Sequence, residues 1–433
     1  MFKVHNLLRY SLILAGFLHL QLGDWLPPYI RYAGDLLLMT IFLIVLMAFK
    51  SYTQSKVERI GQIIAITFFM INILYIIYSF ISWGELLLII RLARQPLLST
   101  MYLYTILKLY AINYKEIRDN RFEFIFLSFL AINALFVGLK IYWPAYSEEA
   151  ELFQGLLVRK IFVKGSVALY LLPILVVGKS KKDYSYILYN FLVLFYFFII
   201  AIYILPFRSW FIVITIAFIV QSLIYLFHQT NSFIKYIKVL AIIILYSYII
   251  IAIIFIFPIS NTLKNWLNSL IIDIIGSSGT FEYRLIRDWS RVAMQLEDHW
   301  IYILFGYGFI HPESFAATYK GFSTETNDVG IVQFLLTYGF LGTLFFFIFW
   351  LYWIYMYVKT FFITSIQSFL KIAFVLIVMF GTLLSSNFFL WETFFVPIFF
   401  AIGVLLNSVS KEYYIWLCKT NCIQYSNSKI KSS

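Results

Sequence analysis

Apolar runs of about 18 to 25 residues follow one another along most of this chain, and at 1.5 Å rise per residue each can cross roughly 30 Å of hydrocarbon. Inside a bilayer every backbone polar group needs a partner within the protein, so a chain of this kind folds as a bundle of transmembrane helices. Spans are expected over residues 5–22, 32–49, 60–80, 85–110, 122–142, 161–177, 184–204, 209–228, 237–257, 330–357, 367–385 and 393–410. The expected fold is an all-α polytopic membrane protein with about twelve spans. The first run, LLRYSLILAGFLHL, has no small-residue cleavage site after it and reads as a signal anchor.

The placement of charge orients the bundle. Only 12% of residues are charged, and the net charge is +12. Such a balance suits nucleic acid, but the cations sit in short clusters between apolar runs, as topology determinants do, so no nucleic-acid partner is expected. The basic loops KSYTQSKVER, KLYAINYKEIRDNR and GKSKKD and the basic tail fall on one side when both termini are cytoplasmic. The chain then divides into spans one to nine (1–258), a long external interval (259–329), spans ten to twelve (330–410) and a cytoplasmic tail (411–433). Residues 143–160 form a short amphipathic interval outside. Cys418 and Cys422, the only cysteines, are too few to close a four-ligand zinc site. His299 and His311 fall in the long interval without metal-binding spacing, so no metal or other cofactor is expected.

This topology leaves a set of cations on the wrong side. Arg91, Arg94, Arg159, Lys160, Lys164, Arg208, Arg284, Arg287 and Arg291 lie at or near the external face. Arg91 and Arg94 also lie within an apolar span, where a central charge costs about 2.5 to 3.5 kcal/mol unless it faces protein or a wet cavity. In GTFEYRLIRDWSRVAM, the spacing of Arg284, Arg287 and Arg291 puts all three on one side of a helix, with Leu285, Val292 and Leu296 as an apolar stripe. The expected element is an amphipathic helix against the membrane domain or the interface. Its arginines either snorkel to lipid phosphates and pair with Glu282, Asp288 and Glu297, or grip a phosphate or diphosphate through the bidentate guanidinium. Arg208, in the turn PFRS, is an interfacial anchor or a further ligand of the same kind. The GYG of LFGYGF reads as a plain turn. Glu325 and Asp328, three apart, stand where span ten begins; Thr326, Asn327 or Asp328 is expected to cap that helix, and either carboxylate is a candidate general base.

The order of these pieces resembles the bacterial O-antigen polymerase and ligase superfamily. The resemblance rests on PFRSWFIVITIAFIV, then FEYRLIRDWSRVAM, then LFGYG, then ETNDVGIVQFLLTYGFLG, and covers roughly residues 205–345. It implies a metal-independent glycosyltransferase, GT-C-like in architecture, of the bacterial inner membrane. Its donor would be an undecaprenyl-diphosphate-linked oligosaccharide used at the periplasmic or outer face. Its surroundings would be membrane lipids, with a chain-length regulator as a protein partner. Arg208 and Arg284 would hold diphosphate, with Arg287, Arg291, Arg91 and Arg94 as further candidates, and Arg284, Glu325 and Asp328 would act in catalysis. Ligases of the superfamily carry a His-Asn pair where this chain reads Thr326-Asn327. The expectation is therefore a repeat-unit polymerase for O-antigen, capsule or exopolysaccharide. The alternatives are an O-antigen ligase and a lipid-linked oligosaccharide flippase or other transporter.

Overall fold

A computed structural model of the protein describes residues 2–24, 29–48, 56–110, 150–153, 156–159, 280–326, 329–361 and Val396. The spans expected over 122–257 and beyond Phe361, the cysteine tail, Lys160, Lys164, Arg208, Asn327 and Asp328 lie outside the described residues. The fold is predominantly helical: α1 (Phe2–Asp24), α2 (Ile30–Ala48), α3 (Lys56–Trp83), α4 (Leu86–Tyr110), α5 (Thr280–Glu297), α6 (Trp300–Phe305), α7 (Phe315–Lys320) and α8 (Gly330–Phe361). Two short strands, β1 (Ala150–Phe153) and β2 (Leu156–Arg159), pair antiparallel with Ala150 opposite Arg159, so Arg159 ends a strand.

Among the described residues, four helices are long and apolar enough to cross a membrane: α2, α3, α4, and α8 over Gly330–Ile348. The protein is therefore membrane-embedded. Their outward side chains, among them Leu36, Leu74, Ile81, Leu87 and Leu344, are exposed and apolar, as lipid contact requires. The helix α1 packs along α2. It carries Arg9 and His19, and each is tied to another helix.

The two ends of the bundle are built differently. At one end Arg9 donates from Nε and Nη2 to the Leu109 carbonyl at 3.1 and 2.8 Å, and Gln62 donates to Leu107. These side chains satisfy carbonyls that the last turn of α4 leaves without intrahelical partners. At the other end α3 stops at Gly84 and α4 begins two residues later. Against this second end pack residues 298–326 and the first half of α8.

The second end is organised around a break in α8. Gly339 has φ 63° and ψ −166°, which interrupts the helix and strips the carbonyls before it of their usual partners. Each of four consecutive carbonyls finds a donor elsewhere. Leu335 receives Gln295 Nε2, Leu336 receives the Tyr307 amide at 2.7 Å, Thr337 receives the Gly308 amide at 3.0 Å, and Tyr338 receives the Tyr75 hydroxyl at 2.6 Å. The GYG turn is thus the partner strand of a broken helix. One stripe of α3 completes the fit: Tyr78 donates to the Gly306 carbonyl, Trp83 to the Tyr307 carbonyl, and Ser79 accepts from the Phe309 amide. Asn72, on the same stripe, accepts from the Tyr338 hydroxyl at 2.6 Å.

The two backbones touch where neither residue has a side chain. Gly306 has φ 73°, and a Cβ there would stand 2.5 Å from the Thr337 oxygen; a Cβ on Gly339 would stand 2.5 Å from the Leu304 oxygen. Both positions therefore demand glycine twice over, for conformation and for space. Gly321 has φ 69° but open space around its Cβ direction. Alanine at Gly321 is expected to cost about 1 to 2 kcal/mol through strain alone. Alanine at Gly306 or Gly339 is expected to cost more than that, roughly 3 kcal/mol or above. Thermal unfolding of the detergent-solubilised variants checks the order.

Candidate functional site

Of the arginines named by the sequence, Arg91, Arg94, Arg287 and Arg291 fall into three places at the end of the bundle that carries the α3–α4 turn. On α5, Asp288 is 0% exposed and lies between two of them. Its Oδ1 accepts from Arg287 Nε at 2.9 Å and lies 3.7 Å from Arg291 Nη1; its Oδ2 accepts the Val329 amide at 3.2 Å. That amide belongs to the amino end of α8, where unpaired N–H groups and the helix dipole favour an anion. A carboxylate from a distant helix thus serves this amide, while Asn327 and Asp328, two of the expected caps, lie outside the described residues. Arg287 and Arg291 retain 27% and 16% side-chain exposure, so the cluster stays partly open at its edge.

The orientation of α5 differs from the expected one. Its buried positions are Asp288 and Gln295, with Arg291 and Val292 partly buried beside them, while Leu296 is 59% exposed. Of the expected stripe, Val292 packs against the core and Leu296 does not, and the side chain of Leu285 lies outside the described residues; side-chain hydrogen bonds to the freed backbone of α6 and α8 share the packed face. Gln295 makes this explicit, donating to both Tyr302 and Leu335 carbonyls. Arg284 lies in α5, four residues before Asp288 and seven before Arg291, and so shares their helical face by register.

Glu325 sits in a 3-10 turn, Thr324–Thr326, with its side chain exposed. Thr324 Oγ1 accepts from the Ile310 amide at 3.0 Å, and Ser323 Oγ donates to the Ile310 carbonyl. Those bonds hold the turn to the segment that follows GYG. Arg291 stands over the Phe322 ring at 5.6 Å. Arg287 and Arg291 are thus joined through Asp288 to the start of α8, and Arg291 through Phe322 to the segment that leads into the turn bearing Glu325.

Arg94 and Arg91 are placed elsewhere. Arg94 grips Asp35 of α2 with two bonds of 2.7 and 2.8 Å. Asp35 Oδ1 also lies 2.7 Å from His19 Nε2, and His19 Nδ1 lies 2.6 Å from the Tyr102 hydroxyl. Because the carboxylate only accepts, Nε2 carries the proton toward it, and Nδ1 shares the second bond with the tyrosine hydroxyl. The result is a closed Tyr102–His19–Asp35–Arg94 relay joining α1, α2 and α4. Arg91 pairs with Glu313 at 3.3 Å, both side chains being largely exposed. An exposed pair of this kind contributes little, about 0 to 1 kcal/mol.

A second charged group was not apparent from the sequence. Asp298 accepts from the Tyr307 hydroxyl at 2.5 Å and from Lys320 Nζ at 2.6 Å. Lys320 also lies over the rings of Tyr307, Tyr302 and Tyr319 at 4.8, 5.1 and 5.7 Å. Burial acts to raise the Asp298 pKa, but the hydrogen bonds from Lys320 and Tyr307 and the lysine charge outweigh it and hold the carboxyl below its ordinary value. Burial, with the neighbouring Asp298, pushes the Tyr307 hydroxyl well up. Together these groups clip α7 to the junction of α5 and α6. His299 caps α6, accepting from the Ile301 amide, and His311 is buried with its Nδ1 accepting from the Glu313 amide. Among the described residues, no three His, Cys, Asp or Glu side chains gather as metal ligands.

Removing the Asp288 carboxylate leaves two arginines and a helix amide without their shared acceptor. Asp288→Ala is expected to cost roughly 3 kcal/mol, read as a fall in unfolding temperature that Glu297→Ala does not reproduce. The Asp298 clip has an acid limit. A carboxyl held below its unfolded value stabilises the fold above that value, about 3.9, and the contribution fades as pH falls through the folded value. Unfolding measured from pH 7 downward should therefore show a loss beginning below about pH 4 that is smaller in Asp298→Asn. No protein-family model matches the chain, and no curated protein matches it in sequence.

Proposed function

We propose that the protein is a membrane glycosyltransferase that polymerises polyprenyl-diphosphate-linked repeat units. The observation that carries the reading is the cluster on α5: two arginines around one buried carboxylate at the amino end of a spanning helix, with Arg284 on the same face by register. Guanidinium groups suit a diphosphate, whose oxygens take paired N–H donors. The dipole of α8 adds to the attraction.

In the reaction, the bond between the anomeric carbon and the donor's diphosphate oxygen breaks, and that oxygen keeps the electron pair. Arg284, Arg287 and Arg291 stabilise the charge as it grows. The acceptor hydroxyl oxygen forms the new glycosidic bond and gives its proton to Glu325 or Asp328. Arg291 lies over the ring of Phe322, three residues before Glu325, which supports a shared site for the two groups. Arg208 is proposed as a further diphosphate ligand. Arg91 and Arg94 already hold Glu313 and Asp35, so any contact they make with substrate is shared with those acids.

The finer assignments belong to the same proposal: about twelve spans in all, a GT-C-like architecture, both termini in the cytoplasm, and a site facing outward from the bacterial inner membrane. The acceptor is a second lipid-linked repeat unit of O-antigen, capsule or exopolysaccharide. The absence of histidine at Thr326 weighs against a ligase. Against a transporter weighs the state of the break in α8. Ion-coupled carriers bind cations on carbonyls freed at such breaks, whereas the carbonyls of Leu335 through Tyr338 are each taken by a protein donor.

Arg284→Ala in the native host is the direct test. The expected outcome is loss of long-chain surface glycan with single repeat units still displayed, at unchanged protein level. A normal glycan ladder would remove Arg284 from the mechanism, and repeat units trapped inside the cell would favour the flippase.

A further inference from the structure

The helix α5 has its polarity reversed relative to a helix on a water-soluble surface. Its inward side holds Asp288 and Gln295, both nearly or fully buried, with Arg291 largely covered. Its outward side holds Ile286 at 64%, Trp289 at 42% and Leu296 at 59% exposure, with Ala293 between them. These four follow one another at intervals of three, four and three residues, a single stripe along the helix. Leaving the three large side chains in water would forgo about 1.5 to 3 kcal/mol each.

The path of the segment says what the stripe meets. Asp288 binds the amide of Val329, Gln295 binds the carbonyl of Leu335, and Gly306 faces Gly339. Successive parts of α5 and α6 therefore touch α8 at points that descend ten residues, about 15 Å, along a helix whose apolar span starts at Gly330. The irregular backbone at the tip, residues 306–311, is wholly buried between α3 and α8. That is the condition under which non-helical backbone is tolerated below a membrane surface. Around it, Trp300, Phe305, Phe315 and Tyr319 are exposed, and the last two stack with ring centres 6.2 Å apart. Tryptophan, tyrosine and phenylalanine grouped at one end of a spanning bundle match the aromatic belt at a membrane boundary.

We infer that residues 280–326 are docked into the bilayer, with the stripe Ile286–Trp289–Ala293–Leu296 seated at the headgroup and acyl boundary and continuous with the lipid-facing surface of the spanning helices. The occupant of the stripe is lipid. The inward arginine face then lies at headgroup depth, where a lipid-borne anion reaches it sideways without leaving the membrane. The docking itself does not depend on the polymerase reading.

Nitroxide labels on the full chain, in a background carrying C418S and C422S and reconstituted into phosphatidylethanolamine–phosphatidylglycerol vesicles, test it. Labels at Ile286→Cys, Trp289→Cys and Leu296→Cys are expected to collide with oxygen several-fold more readily, relative to a water-soluble nickel chelate, than labels at Ser290→Cys and Glu297→Cys on the adjoining arc. Equal access of the nickel chelate to both sets would place the stripe in water and overturn the inference. Access of neither probe to the stripe would mean that protein covers it, and would overturn it equally. Glycosyl transfer by the same preparations is a separate readout, so the docking and the catalytic proposal stand or fall independently.

Discussion

A bilayer offers backbone carbonyls nothing to bind, and the described half of this protein is arranged around four that a broken helix sets free. The break at Gly339 would be costly in lipid, where each unsatisfied group costs several kcal/mol. It persists because the GYG turn, Gln295 and Tyr75 approach it from three directions. From this follow the glycine at 306, the polar stripe on α3 and the inward turn of α5. The external-looking segment and the spanning helices are in this sense one structure.

Charge is handled by the same economy. Asp288 serves two arginines and a helix terminus at once, and Asp35 serves Arg94 and His19. Both carboxylates are short side chains placed where several donors converge. Such shared acceptors limit the number of anions brought into a low-dielectric setting while leaving few donors unmatched. The functional proposal rests on where this sharing places Arg287 and Arg291, beside the amino end of α8.

The long helices were legible because hydropathy is a sum over many residues, and α2, α3, α4 and α8 lie where the apolar runs are. The strands β1 and β2 fall in an interval that read only as amphipathic. GYG read as a turn, and Gly306 and Gly308 do take positive φ, but nothing local announced that its amides serve Leu336 and Thr337 some thirty residues on. Of the hydrophobic stripe read on α5, Val292 packs inward but Leu296 is exposed, because pattern rules assume water outside. Asp35 and Arg94 offered a usable signal, two opposite charges each a few residues inside an apolar span, which pair by the cost of leaving either alone. The clip between Asp298 and Lys320 carried no such signal, since both residues sit in polar sequence and only the fold brings them to 2.6 Å.

The relay of Tyr102, His19, Asp35 and Arg94 has a consequence for how the chain enters the membrane. Asp35 belongs to the second helix made and Arg94 to the fourth, and 59 residues of sequence separate them. A carboxylate emerging into lipid before its guanidinium partner has been synthesised faces a penalty of about 2.5 to 3.5 kcal/mol. The second helix is therefore best held at the edge of the insertion machinery until the fourth arrives, and the two released together. Until then His19 of the first helix is the partner Asp35 already has, so the relay ties the settling of the first, second and fourth helices to one another.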